Sequence, residues 1–126
     1  MIKGIHHVSL RCDDRALFDK SRAFYCGVLG LRVYREWATG VMLDTGSGCI
    51  EIFSNGEGIP EQGAVRHFAL ATDDVDGCVE AVREAGYAVT DGPRDVTLPA
   101  SPPLDLRVAF CIGPLGEEIE FFQVKE

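Results

Sequence analysis

Residues 5–14 read IHHVSLRCDD, and residues 65–74 read VRHFALATDD. The two stretches align without a gap, matching His7 with His67, Leu10 with Leu70 and Asp13-Asp14 with Asp73-Asp74 at a spacing of 60 residues. Further along each half, GCIEIF (48–53) aligns with EEIEFF (117–122), so Glu51 matches Glu120 at a spacing of 69. The second half therefore carries nine extra residues, which this reading places in the proline-containing stretch 93–104. Two matches in the same order, each carrying a His or a Glu, mark an internal duplication.

Each half reads as βαβββ. Residues 4–12 alternate as a strand does. Asp13 and Asp14 offer N-cap oxygens, and Leu17, Phe18, Ser21, Phe24, Tyr25 and Val28 share one face of a helix over 15–28 that Gly30 ends. Strands are predicted over 31–38, 41–45 and 48–54, with turns at Thr39-Gly40 and Gly46-Ser47-Gly48. Gly56, Gly58, Pro60 and Gly63 mark a linker. The cycle restarts with a strand over 64–72 and a helix over 74–85, whose inward residues are Val75, Cys78, Val79, Val82 and Ala85. Gly86 suits the helix end, and strands over 87–91, 105–112 and 117–124 complete the half. The expected fold is α+β: one domain over 1–126, made of module 1 (1–56) and module 2 (64–126), with curved mixed sheets forming a cup and helices outside.

Composition narrows the function. With 12 basic and 20 acidic residues the net charge is −8, which disfavours nucleic acid and anionic membrane surfaces as partners. The five cysteines are widely spaced, odd in number and without a CxxC, so they read as small buried thiols in a reducing compartment. The N-terminus lacks the apolar core of a signal peptide, and no apolar run reaches membrane-spanning length. A soluble cytoplasmic protein is expected.

Strand alternation puts Ile5, His7, Ser9 and Arg11 on one face, and His6, Val8, Leu10 and Cys12 on the face toward the helix. Cys49, Glu51, Phe53 and Asn55 share a face opposite Ile50 and Ile52. Glu120 stands with Glu118 and Phe122, opposite Ile119 and Phe121, and His67 with Val65, Ala69 and Ala71. A carboxylate in the middle of an apolar strand is costly unless it is paired or bound to metal. Taken singly, each His and Glu reads as structural or solvent-facing. Taken as a duplicated pair, His7, Glu51, His67 and Glu120 read as ligands of one divalent metal ion, with Zn, Ni, Co, Mn or Fe all suited to such N/O donors. His6 is the weaker ligand candidate, because it points to the helix side.

These motifs (HHVSLRCDD, FYCGVLGLRV at 24–33, CIEIF, RHFALATDD and GEEIEFF) resemble the vicinal oxygen chelate superfamily, and within it the short bacterial glyoxalase I-like proteins. The resemblance covers nearly the whole chain. It implies paired βαβββ modules and metal ligands at His7, Glu51, His67 and Glu120. It also implies a lyase or isomerase that moves a proton through a metal-bound enediolate, on the thiol hemithioacetal of an α-oxoaldehyde. Glu120 is then the catalytic base and Glu51 its partner. The chain departs from the family pattern at 93–104 and at Gly113-Pro114-Leu115-Gly116, where glyoxalase I has an Asp-Pro-Asp-Gly turn.

Arg11 and Asn55 match polar thiol-binding positions of bacterial glyoxalase I, or else are a strand-end surface charge and an ordinary turn residue. Phe53, Phe122, Trp37 and Met42 line the apolar part of a substrate pocket or pack in the core. The alternatives to a lyase are a small-molecule binding protein that does not turn over its ligand, an epimerase acting next to a carbonyl, and a metal-stabilised dimer without chemistry. The resemblance implies a homodimer, with the ligands drawn from one chain or from two.

Overall fold

A computed structural model describes residues 1, 3–56 and 65–125. Of the expected linker, Gly58, Pro60 and Gly63 lie outside the described residues. The chain divides into two compact units, Met1–Glu61 and Gln62–Glu126. Each follows the same order of elements. Unit 1 contains β1 (His7–Arg11), α1 (Arg15–Ala23), a π-helical turn (Phe24–Val28), β2 (Arg32–Trp37), β3 (Gly40–Asp44) and β4 (Cys49–Phe53). Unit 2 contains β5 (Phe68–Ala71), α2 (Val75–Glu84), β6 (Val89–Leu98), β7 (Leu104–Ile112) and β8 (Glu118–Val124). The βαβββ order is thus observed twice.

Each unit holds one four-stranded mixed sheet, in the orders β1-β4-β3-β2 and β5-β8-β7-β6. The first strand of each unit runs parallel to the last, and the other neighbours are antiparallel. This arrangement sets the His of each unit at the edge strand that opens it, and the Glu on the neighbouring strand that closes it.

Local chemistry sets the helix ends. Asp14 caps α1 by accepting from the Ala16 N–H at 2.9 Å, and Asp74 caps α2 by accepting from the Gly77 N–H at 2.9 Å. Each such cap contributes about 1 kcal/mol. At the far end of α2, Gly86 N–H donates to Arg83 O (3.0 Å) and Tyr87 N–H to Val82 O (3.1 Å), a Schellman closure with Gly86 at φ +87°. The helix expected over 15–28 is continuous, but its last part widens. Leu29 N–H reaches back five residues to Phe24 O at 3.1 Å, which is π-helical bonding.

In unit 1, Val41, Leu43, Ile50 and Ile52 are buried with Phe18, Phe24 and Tyr25. In unit 2, Ala109, Cys111, Ile119 and Phe121 are buried with Val75, Val79 and Val82 of α2. Two side chains identify the helix-facing side of the second sheet: Gln123 accepts from the Val75 N–H at 3.1 Å, and Arg107 holds Asp76 through two hydrogen bonds of 2.6 and 2.8 Å. Leu106, Val108, Phe110, Glu120 and Phe122 consequently share the opposite face.

Several expectations are corrected. Residues 93–98 are not part of an inserted loop: β6 runs through Pro93 to Leu98. Proline is tolerated there because β6 is an edge strand. Ala85 is exposed rather than inward: it is the C-cap, where the buried face of α2 comes to its end. His67 precedes β5 instead of lying within it. Only Cys12 and Cys111 are buried; Cys26, Cys49 and Cys78 are half-buried, and all five thiols are free.

Candidate functional site

Unit 1 brings His7 and Glu51 together. In the parallel pair β1–β4, His7 stands opposite Cys49 and Ser9 opposite Glu51, so the two ligand candidates lie in neighbouring rows of one face. His7 Nε2 is 3.5 Å from Glu51 Oε1. Glu51 is 8% exposed, and it is the one buried charged side chain among the described residues. No Lys or Arg among those residues forms an ion pair with it. Glu51 is thus a buried carboxylate in an apolar strand, and among the described residues its ion-pair contact is with the His7 imidazole.

Unit 2 repeats the arrangement. His67 Nε2 lies 3.1 Å from Glu120 Oε1, and the His67 ring meets Phe110 edge-on with centroids 5.3 Å apart. Phe110 stands directly opposite Glu120 across β7–β8, in the place Met42 takes opposite Glu51 across β3–β4. His67 Nδ1 is buried and lacks a hydrogen bond, with Glu118 Oε1 3.7 Å away.

The far side of each imidazole also matters. His6 Nδ1 lies 2.9 Å from His7 Nδ1. His6 is exposed and precedes the strand, so the expectation that it points to the helix side is corrected: alternation does not extend past the end of β1. In both units a polar neighbour sits on the Nδ1 side, and Nε2 is the nitrogen beside the carboxylate. As the pairs stand, the imidazole N–H on Nε2 is the donor to the carboxylate; a metal held between them would take that proton's place and leave Nδ1 to carry one.

Each His–Glu pair is spaced as two ligands of one divalent cation would be. Cis ligands at about 2.1 Å from a metal stand about 3.0–3.4 Å apart, close to the two Nε2–Oε1 separations. Among the described residues, no group of three or more His, Cys, Asp and Glu side chains gathers at one point, so each unit by itself brings together one His–Glu pair. The cysteines add none. Burial, then Asp44 and Glu51, push the Cys49 thiol upward, and burial drives Cys111 up to about 12. Both remain protonated and unreactive near neutrality.

The other expected site residues fall as follows. Arg11 stands opposite Phe53, which stands opposite Gly40, which stands opposite Trp37. Trp37 meets Phe53 with ring centroids 5.6 Å apart. Gly40 makes this possible, since a Cβ there would lie 2.5 Å from the indole. Asn55 is exposed, and the following Gly56 packs on Arg11, where a Cβ would come within 2.9 Å of Arg11 Cβ. Arg11 has no ion-pair partner among the described residues. Phe122 stands opposite Val108 and is half-buried. An open groove of about 440 Å³ at the start of β1 is lined in part by Lys3, His6, Tyr34, Asp44 and Cys49.

Sequence reasoning missed His6 as a partner of His7, and Phe110 as the ring beside His67. The alternation of β7 carries the signal for Phe110, two residues from Val108 on the face shared with Glu120.

A sequence model described as the Glyoxalase/Bleomycin resistance protein/Dioxygenase superfamily matches residues 4–101. YwkD of Bacillus subtilis, described as an uncharacterised protein, is 35% identical over 98 residues, covering 68% of this chain and 74% of its own. A putative glyoxalase family protein from Bacillus anthracis superposes with a TM-score of 0.73 at 23% identity, over 99% of this chain and 98% of that one. TnmS3, an antibiotic binding protein from Streptomyces sp. CB03234, also gives 0.73 at 23% identity, over 98% of each chain. At this identity the two structures speak for the fold.

Proposed function

The chain belongs to the glyoxalase/bleomycin resistance protein/dioxygenase superfamily, and from that premise we propose that it is a metal-dependent lyase or isomerase of the glyoxalase I type. The observation that carries this reading is the repeated pair: one imidazole Nε2 beside one carboxylate at the corresponding position of each unit, with Glu51 buried. His7, Glu51, His67 and Glu120, from one chain or from two copies, would hold one divalent ion, with Zn, Ni, Co, Mn and Fe(II) all compatible. When bound, such an ion would supply Lewis acidity toward an oxygen beside the reacting carbon.

The remaining chemistry belongs to the side chains. Glu120 removes a proton from the carbon next to the carbonyl, and that proton is returned to the neighbouring carbon with Glu51 as its partner in the transfer. Such a base must lie within hydrogen-bond reach of the proton it takes. Phe110, packed edge-on against His67, keeps the imidazole oriented and excludes water from one side of Glu120. Arg11 and Asn55 receive the polar end of the thiol carrier, while Phe53 and Phe122 contact its apolar part. The substrate class is the hemithioacetal of an α-oxoaldehyde with a small thiol, in a cytoplasmic homodimer.

The test combines metal analysis of purified protein with a panel of hemithioacetals. Stoichiometric metal and turnover that chelation abolishes support the reading. Full turnover by metal-free protein would overturn it.

A second reading is a binding protein that holds a small molecule without turning it over. The Trp37–Phe53 pair beside Arg11, with Trp37 exposed and Phe53 half-buried, favours it, as does the structural likeness to an antibiotic binding protein. Saturable ligand binding without turnover of any hemithioacetal or acyl-CoA would select it.

A further inference from the structure

We propose that Arg94 is an anchor for a carboxylate or phosphate group of the ligand, set by a bulge in β6 on the same sheet face as Glu120. Residues three apart in a regular strand point to opposite faces. Asp91 and Arg94 do not, because the register slips between them. Asp91 stands opposite Phe110 and Arg94 opposite Val108, so three steps on β6 span only two on β7. Phe110 in turn faces Glu120, and Val108 faces Phe122. Asp91 and Arg94 thus both join the face that carries the candidate base, with Arg94 one row from it. Bulges of this kind re-aim side chains beside functional sites.

The bulge is built into the sequence. Gly92 sits within it at φ +79°, and a Cβ there would lie 2.5 Å from Val108 O. Only glycine fits that conformation at that approach. Asp91 then clamps the guanidinium from one edge: Oδ1 accepts from Nε at 2.9 Å and Oδ2 from Nη2 at 3.0 Å. A clamp on that edge leaves both Nη1 protons and one Nη2 proton for another acceptor, in a planar fork suited to an oxyanion. The arginine remains half-exposed and reachable.

This inference deepens the lyase reading and rests on it for the identity of the ligand. Two measurements keep the two separable. First, turnover of the methylglyoxal adducts of 3-mercaptopropionate and of 2-mercaptoethanol compares a carboxylate-bearing with a neutral thiol. In R94M the preference for the carboxylate adduct, as a ratio of kcat/KM values, is expected to fall about ten- to hundredfold, and R94K is expected to recover part of it. An unchanged ratio in R94M overturns the proposal.

Second, wild type and R94M are titrated separately with inorganic phosphate and with acetate while the amide resonances of residues 91–95 are followed. Saturable shifts in wild type that R94M loses support the anchor, and the anion that saturates first identifies the class. Shifts that are absent, or that persist in R94M, overturn it. If wild type turns over neither adduct, the lyase reading falls and the titration alone decides the anchor.

Discussion

His67 and Glu120 stand 53 residues apart in the chain, yet their side chains meet at 3.1 Å. The parallel pairing of β5 with β8 accounts for this. It places Ala69 opposite Glu120, and His67 reaches the carboxylate from just before the strand. The same pairing of first and last strands in unit 1 places His7 beside Glu51. The proposed metal set is testable at both pairs.

Replacing His7 or His67 with Ala is expected to lower the metal content of purified protein by at least tenfold, because each removes one of two donors from its unit. Elemental analysis after gel filtration checks this. Metal retained in both variants would remove these histidines from the ligand set.

Glu120→Gln keeps the shape and removes the base. Loss of a positioned general base costs about 10²–10⁴-fold in rate, so kcat on the best hemithioacetal is expected to fall by that factor while the fold is kept. Steady-state kinetics with a thermal melt of the same preparation separates lost chemistry from lost structure.

Ile52→Ala empties a fully buried position in β4 and is expected to destabilise the protein by about 2–5 kcal/mol. Gly86→Ala forces a Cβ onto a residue at φ +87° in the α2 closure and is expected to cost about 1 kcal/mol. Urea unfolding midpoints measure both. The ordering, with Ile52 much the larger, is the informative outcome.

Acid should act on the pins around Arg107. Hydrogen bonds from Arg107 hold the Asp76 carboxyl below its ordinary range, and those from Lys125 and then Arg107 do the same for Asp95. Both pKa values are depressed in the folded state, so the unfolded chain binds protons first as pH falls. The stabilisation is complete above about pH 5 and is lost as pH drops below about 4, through the folded values. Unfolding midpoints measured between about pH 6 and pH 3 should fall, and R107M should flatten that fall. An identical slope in R107M would show that other carboxylates control the acid limb.

The duplication made much of this legible from residues alone. The repeat of His7 and Glu51 as His67 and Glu120 gave the order of elements in both units, and alternation around Ile50 and Ile52 put Glu51 on the correct face. What stayed illegible lay where a local rule is broken by longer-range pairing. A Pro-containing stretch reads as a loop, and only the partner strand β7 shows that Pro93 and Arg94 belong to β6. Alternation then assigns Arg94 to the wrong face, because a bulge resets the count. His6 escapes alternation for a related reason: β1 begins only at His7, and the contact between the two imidazoles depends on how the chain enters the sheet.

The interrupted edge of β6 also bears on how this protein behaves in a crowded solution. An outer strand with an unbroken row of N–H and C=O groups recruits further strands and seeds aggregates. Proline supplies no donor, and the slipped register at Gly92-Pro93 breaks the row at the same place. A device that turns an arginine onto the face of Glu120 thus also denies a passing chain the regular template it would need to extend the sheet.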